Sequence, residues 1–163
     1  MTVPVYGQKY RMSCWAASMR MILASELRFV ASDDAIAAPT NDQASLQSGL
    51  NPNATTCLRY WGFRTLSPMC YTEAGFAQLV QSRGPLWVAC DVRFPGASRS
   101  SPHIRVVTDA LTIDGALLLG VNDPGPVGVG RRYQETYANF CAKNELLGSQ
   151  ELAEPAPVYI AHL

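Results

Sequence analysis

The pattern of apolar and polar positions divides the chain into an early part with helical periodicity and a later part with strand periodicity. Between Ser13 and Leu27 apolar residues recur at helical spacing, and neither glycine nor proline interrupts them. This pattern predicts a helix with Ser13 as its N-cap and Cys14 in its first turn. Shorter helices are predicted over 33–38 with Ser32 as the cap, from a cap at Asn53 through 61, and from a cap at Thr72 through 80. A loop or short helix is predicted over 41–53.

After Pro85 the apolar residues become branched and aromatic and alternate with polar ones, which is typical of strands. Strands are predicted over 86–92, 103–110, 116–121, 131–137 and 157–163, with a short helix around 137–143. Asp114-Gly115 is a strong hairpin signal, and a hairpin centred there places residues 103–108 opposite residues 121–126. Helices first and antiparallel strands second indicate an α+β fold. We expect one domain over 1–163, with a helical half of about 1–84 and a sheet half of about 85–163.

Composition restricts the classes of partner. The chain has 48% hydrophobic residues, enough for a core, and 13 basic residues balance 13 acidic ones. Without a basic run or a basic-aromatic stripe, we expect no nucleic-acid partner. No segment approaches the roughly 18 apolar residues of a membrane span, and the first residues lack the apolar run of a secretory signal peptide.

The cysteines exclude a standard zinc motif. There are five, at irregular spacing and without a C-x-x-C pair, so we expect no metal site. We expect no organic cofactor either, because catalysis by a thiol requires none. Because five is odd, at least one thiol has no partner within the chain. Two disulfides with one free thiol and five free thiols both remain open. The five are Cys14, Cys57, Cys70, Cys90 and Cys141.

Cys14 is the candidate nucleophile. A thiol in the first turn of a helix lies where the helix dipole stabilises its thiolate. On its own, such a cysteine is as readily a buried small hydrophobe. A thiolate needs a basic partner, and the chain has only two histidines. His103 begins a predicted strand after a turn and is the better candidate base, whereas His162 is expected at an exposed or fraying chain end.

Two further groups complete a possible catalytic set. Asp123 ends the strand that pairs with the His103 strand and is the expected orienting group, with Asn122 beside it as the alternative. Gln8 supplies an amide donor upstream of Cys14, and the Cys14 N–H supplies a second donor for an oxyanion. The next basic residues, Arg131 and Arg132, are expected to form a solvated strand edge.

These residues stand in a recognisable order. The element Q-x5-C-W-A-A-S over 8–18, followed by HIRVVT from His103 and VNDPGP around Asp123, resembles the motifs of papain-like cysteine peptidases. Among them it is similar to compact bacterial types, namely effector proteases and bacteriocin-processing peptidases. The resemblance implies a papain-like fold in which Cys14 opens the central helix and Gln8 completes the oxyanion hole. The third triad position departs from the usual asparagine, because Asp123 stands there with Asn122 adjacent.

The resemblance implies a cysteine peptidase acting on protein or peptide substrates as a secreted bacterial effector or toxin. Such a protein would be secreted or delivered into a target cell without a signal peptide, or otherwise act in the cytoplasm, and a toxin would have a cognate immunity or inhibitor protein. Two alternatives remain. The same residues suit a deamidase, a transglutaminase-like acyl transferase or a peptidoglycan amidase, and the scaffold also suits a non-catalytic binding module.

Overall fold

The structure is a computed structural model that describes residues 2–29, 31–50, 56–67, 69–92, 101–150 and 160–163, with residues 144–150 as backbone only. The helices are α1 (Cys14–Glu26), α2 (Asp33–Ala37), α3 (Ser45–Ser48), α4 (Thr56–Tyr60), α5 (Glu73–Arg83) and α6 (Tyr137–Gln150), and a 3-10 turn (Ala38–Thr40) follows α2. The strands are β1 (Arg64–Thr65), β2 (Leu86–Val92), β3 (Ser101–Ile113), β4 (Ala116–Asp123), β5 (Arg131–Thr136) and β6 (Ile160–His162). The α+β expectation is confirmed.

The strands form one antiparallel sheet in the order β1-β6-β2-β3-β4-β5. The strands β2 to β5 follow chain order as a meander. The last strand, β6, returns to lie between β1 and β2, so the chain end is held inside the sheet. His162 is only 4% exposed as a result, and the expectation that it lies on an exposed or fraying end is wrong.

Helices cover both faces of this sheet. Because side chains alternate along a strand, Trp87 and Val106 face one way and Leu86 and Val107 face the other. The first pair joins the core around α1 to α4, and the second joins a separate core with Phe76 of α5 and residues of α6. The helical half therefore supplies one layer and α5 of the other, which α6 from the sheet half completes, and α1 packs directly on β3.

Helix α1 begins where the sequence predicts, but the side chain of its N-cap residue makes a different contact from the expected one. Ser13 occupies the N-cap position, yet its side chain makes no capping hydrogen bond. Its hydroxyl instead donates to the Asp33 carboxylate at 2.6 Å. The other two predicted caps within the described residues behave as expected, since Ser32 and Thr72 accept from backbone N–H groups in the first turns of α2 and α5. Asn53 lies outside the described residues.

A β-bulge interrupts the pairing of β3 with β4. From the hairpin turn up to Asp109 the register follows the mirror arrangement, with Asp109 opposite Gly120, but beyond the bulge Val107 lies opposite Val121 and Val106 opposite Asn122. Thr108 is thus the extra residue. A strict mirror would have put Val107 opposite Asn122. The bulge shifts the end of β4 by one residue, and a shift of one exchanges the faces of its side chains.

Candidate active site

Cys14 and His103 come together at the junction of α1 and β3. Cys14 is the first residue of α1 and is buried, with 9% of its surface exposed. His103 lies near the start of β3 and is 3% exposed. The thiol is a hydrogen-bond partner of the imidazole. The candidate nucleophile and the candidate base, 89 positions apart in the sequence, are thus in direct contact, because α1 packs on β3.

The imidazole of His103 has a second partner on its other side. Its Nε2 lies 2.6 Å from Oδ1 of Asp123 at the end of β4. Because Asp123 occupies Nε2, Nδ1 is the ring nitrogen left to act as a base. A ring that donates from Nε2 to a carboxylate is fixed in orientation and, when it is neutral, in tautomer.

The environment favours the protonated imidazole. Burial acts to lower the pKa of His103, but the hydrogen bonds and charges of Asp123 and Cys14 outweigh it and raise the pKa from 6.5 to about 9. A protonated His103 is the partner that a Cys14 thiolate requires. At neutral pH the site therefore favours the imidazolium form of His103.

Asp123 is held by more than the imidazole. Its Oδ1 also accepts the Gly125 N–H at 2.8 Å, and its Oδ2 accepts two hydrogen bonds from the Arg131 guanidinium at 3.1 and 2.8 Å. Burial alone would raise the pKa of Asp123, but His103, the Gly125 N–H and Arg131 lower it from 3.8 to about 2. The carboxylate stays charged over the whole physiological range.

As the sequence predicts, Arg131 is exposed on the edge strand β5, and it also contacts the Asp123 carboxylate. It lies opposite Asp123 in the pairing of β4 with β5, although its side chain is 61% exposed. Sequence reasoning missed this contact because it did not extend the strand register from β4 to β5. Arg132 is also engaged, because its Nε donates to Oδ1 of Asn122 at 2.8 Å and its Nη2 to the Val3 carbonyl.

Asn122 faces away from His103. Its Nδ2 donates to the carbonyls of Val3 and Pro4, both at 3.1 Å, and it is completely buried. Of the two candidate orienting residues, the structure brings only Asp123 to the imidazole.

Gln8 lies beside the site, in a braced loop. Its backbone N–H donates to the Pro124 carbonyl at 2.9 Å and its carbonyl accepts the Gly128 N–H at 2.8 Å, which ties it to the loop that follows Asp123. Its side-chain Nε2 donates to the carbonyls of Tyr10 at 2.9 Å and Arg11 at 2.7 Å. Both amide hydrogens are thus directed to neighbouring carbonyls. Oε1 is buried with no hydrogen-bond partner among the described residues.

The remaining cysteines and His162 make none of the contacts described above, although Cys90 lies opposite His103 in the pairing of β2 with β3. All five cysteines are free thiols. Burial is the main cause that raises the pKa of Cys57 and of Cys90 to about 11, which keeps both thiols protonated at neutral pH. His162 places its Nδ1 near the carbonyl of Leu163, at 2.9 Å. Within the described ranges there is no group of three or more His, Cys, Asp or Glu residues that could hold a metal ion.

Comparison with known proteins gives one family. The model of the family described as papain-like cysteine protease AvrRpt2 matches residues 1–145. No curated protein matches the sequence. Over the described part of the chain, no helix has the length and apolarity needed to cross a membrane.

Proposed function

Because the chain belongs to the papain-like cysteine protease family AvrRpt2 and is therefore a cysteine peptidase, we propose that it cleaves peptide bonds with Cys14, His103 and Asp123 as its catalytic triad. The observation that carries the proposal is the position of His103. The buried imidazole contacts the Cys14 thiol on one side and the Asp123 carboxylate on the other. This chain of thiol, imidazole and carboxylate is the arrangement that nucleophilic catalysis requires.

The first half of the reaction forms an acyl-enzyme. His103 takes the thiol proton, and the Cys14 sulfur attacks the carbonyl carbon of the scissile peptide bond. The carbonyl π electrons move onto oxygen and give a tetrahedral oxyanion. When it collapses, the C–N bond breaks, and His103 gives its proton to the leaving amine. The products of this half are a thioester on Cys14 and a free peptide amino terminus.

The second half releases the acyl group. Water gives a proton to His103 and attacks the thioester carbonyl, the C–S bond breaks, and the sulfur leaves as thiolate beside the imidazolium. Asp123 stays ionised throughout and stabilises the imidazolium each time it forms. No step requires a metal or an organic cofactor.

The oxyanion is stabilised by Gln8 and by the start of α1. The first N–H groups of a helix have no acceptor within the helix, and the Cys14 N–H is the one nearest the reacting sulfur. Nε2 of Gln8 would exchange one of its two loop carbonyls, Tyr10 or Arg11, for the oxyanion. A peptide carbonyl is a weaker acceptor than an oxyanion, so this exchange is favoured only when charge develops in the transition state.

The substrate is a protein, as membership of a protease family implies. We place the protein among bacterial effectors, acting after secretion or delivery into a target cell, with family membership as the support. As a toxin it would have an immunity or inhibitor protein that covers the Cys14 cleft. These roles rest on the family alone.

The test is mass spectrometry of peptide termini. A target-cell extract and a bacterial sacculus preparation are each incubated with the wild-type chain, with Cys14→Ala or with Cys70→Ala. Cys70 is the matched control, because its thiol is exposed and distant in sequence from the proposed triad. We expect new peptide amino termini with wild type and Cys70→Ala, and none with Cys14→Ala.

Other results would change the proposal. Glutamine or asparagine residues that gain about one mass unit without chain cleavage, and only when Cys14 is present, would indicate deamidation. Cleaved cross-links in the sacculus would indicate a peptidoglycan amidase. Termini produced equally by Cys14→Ala would contradict the assigned nucleophile.

A further inference from the structure

Asp33 is a buried carboxylate outside the proposed triad that contacts the segment leading to Cys14. Asp33, the first residue of α2, is completely buried and accepts three hydrogen bonds. Its Oδ2 accepts the Lys9 N–H at 2.8 Å and the Ser13 hydroxyl at 2.6 Å, and its Oδ1 accepts from Nη1 of Arg20 at 2.6 Å. Burying a carboxylate is costly unless it is paired and hydrogen-bonded, and these three hydrogen bonds compensate the burial of Asp33.

The three donors of Asp33 lie around the segment that joins Gln8 to Cys14. Lys9 directly follows Gln8, Ser13 directly precedes Cys14, and Arg20 projects from α1 itself. One carboxylate therefore fixes both ends of residues 9–13 and attaches them to the nucleophile helix. We call residues 8–13 the 8–13 turn.

The 8–13 turn closes on itself through the same groups. The Tyr10 N–H donates to the Ser13 Oγ at 3.0 Å, and the Gln8 side chain donates to the carbonyls of Tyr10 and Arg11. The position of the Gln8 amide is thus set by carbonyls whose own position depends on Ser13. Asp33 holds Ser13 from outside the turn.

We propose that Asp33 is a positioning residue that holds the Gln8 amide and the Cys14 N–H at the spacing needed to bind the oxyanion. This inference rests on the proposed function, in which those two groups form the oxyanion hole. Asp33 does not touch the reacting atoms. It acts through Lys9 and Ser13, and a displacement of about 1 Å in such a site can cost about 10²-fold in rate.

The neighbouring residue provides a matched control. Asp34 also contacts the 8–13 turn, but only through side chains, since it accepts from Lys9 Nζ at 2.8 Å and from the Tyr10 hydroxyl at 2.7 Å. Its side chain is 42% exposed, whereas that of Asp33 is 0% exposed. Asp34→Asn removes the same charge from the same helix without loosening the backbone of the turn.

The experiment compares two reactions of the Cys14 thiol that need no knowledge of the natural substrate. p-Nitrophenyl acetate acylates the thiol through a tetrahedral oxyanion and releases p-nitrophenolate. Iodoacetamide alkylates the same thiol by direct displacement of iodide, with no oxyanion. The ratio of the two rates therefore reports the oxyanion hole separately from the Cys14–His103 pair.

We expect Asp33→Asn and Ser13→Ala each to lower the acylation rate about tenfold or more, with the alkylation rate within about twofold of wild type. Asp34→Asn should leave both rates unchanged. Ser13→Ala keeps the Asp33–Arg20 ion pair, so it provides the answer if Asp33→Asn does not fold. In a double-mutant cycle, Asp33→Asn should lower acylation less in the Gln8→Ala background than in wild type, because the part of its effect that acts through the Gln8 amide is already lost.

Other outcomes overturn the inference. Equal losses in acylation and alkylation would show that Asp33 supports the Cys14–His103 pair or the fold as a whole, and not the oxyanion hole. Unchanged acylation in both Asp33→Asn and Ser13→Ala would show that the turn does not need the carboxylate. If wild type is alkylated but not acylated, the acyl-enzyme mechanism fails, and the role of Asp33 fails with it.

Discussion

Two charged clusters, each with a buried basic side chain, connect β3 to β5, and they differ in what their charges can do. The first joins His103, Asp123 and Arg131 at one end of the strands. The second joins Arg105 to Glu135 and to the Tyr133 hydroxyl, with Lys143 of α6 on the outer side of Glu135.

The histidine of the first cluster and the arginine of the second are about equally buried but not equally titratable. Arg105 is completely buried and His103 is 3% exposed. Burial opposes the charge of Arg105, but Cys90, Tyr133 and Glu135 outweigh it and raise the pKa of Arg105 above its usual range. An arginine that never loses its proton cannot transfer one. His103, with a pKa of about 9, can.

The difference also lies in what each cluster touches. His103 contacts the Cys14 thiol at the start of a helix, where a nucleophile is stabilised. The thiol beside Arg105 is that of Cys90, which is completely buried in the middle of the sheet. Buried charge is therefore no sign of catalysis by itself. A titratable group next to a nucleophile at an element end is a sign.

The largest effect that separates the clusters is on stability. Glu135→Gln leaves Arg105 buried with its counter-charge removed, and we expect a loss of about 3–5 kcal/mol in the free energy of unfolding. The folded fraction should keep its rate of acylation by p-nitrophenyl acetate, because the site is untouched. Urea denaturation measures the free energy of unfolding, and the acylation rate per folded molecule measures the activity of the site. An acylation defect in fully folded Glu135→Gln would contradict the separation of the clusters.

Asp123→Asn should lower the acylation rate more than the stability, the reverse of Glu135→Gln. The imidazole loses its charged partner, and we expect acylation to fall about 10- to 100-fold, with a smaller loss of stability than in Glu135→Gln. Because Asp123 raises the pKa of His103, its replacement should also move the loss of the imidazolium to lower pH. The pH profile of iodoacetamide alkylation records that shift. A profile identical to wild type would show that Asp123 does not govern the charge of His103.

The pH dependence of stability should identify His103 directly. Its pKa is raised in the folded state, so its contribution to stability is complete below about pH 6.5 and is lost as pH rises through about 9. Asp123 contributes in the opposite range, since its lowered pKa gives stability above about pH 3.8 that is lost as pH falls through about 2.

Nuclear magnetic resonance can follow this titration because the chain has only two histidines. The imidazole of His103 should titrate near pH 9 in wild type and lower in Cys14→Ala, which removes one cause of the raised pKa. His162→Gln assigns the two signals. An unchanged titration in Cys14→Ala would contradict the thiol–imidazole contact.

The smallest effect is expected at Arg131. Its side chain is 61% exposed, so water and salt screen its pair with Asp123, and Arg131→Gln should change acylation by less than about threefold. The change should disappear at high salt. Arg132→Gln is the control, since Arg132 contacts Asn122 and not Asp123. A tenfold loss in Arg131→Gln at high salt would show that Arg131 holds Asp123 by geometry and not by charge.

Local chemistry allowed much of this architecture to be predicted from the sequence. The apolar spacing placed α1 to within a residue, and the Asp114-Gly115 turn placed the hairpin of β3 and β4. The sequence did not reveal β1, because a strand of two residues has no periodicity. It also did not reveal that β6 is inserted between β1 and β2, because pairing of the chain end is a long-range event without a local signal.

The sequence alone determined the chemistry available to the site: one thiol at a helix start, one histidine at a strand start, and Asn122 and Asp123 side by side. Only the tertiary structure decided between those two neighbours. Without the bulge at Thr108, Asn122 would lie opposite Val107 and share the face of His103. With the bulge, Asn122 lies opposite Val106, so Asp123 lies on the same face of the sheet as His103. Strand side chains alternate with a period of two, and a single extra residue therefore exchanges an amide for a carboxylate.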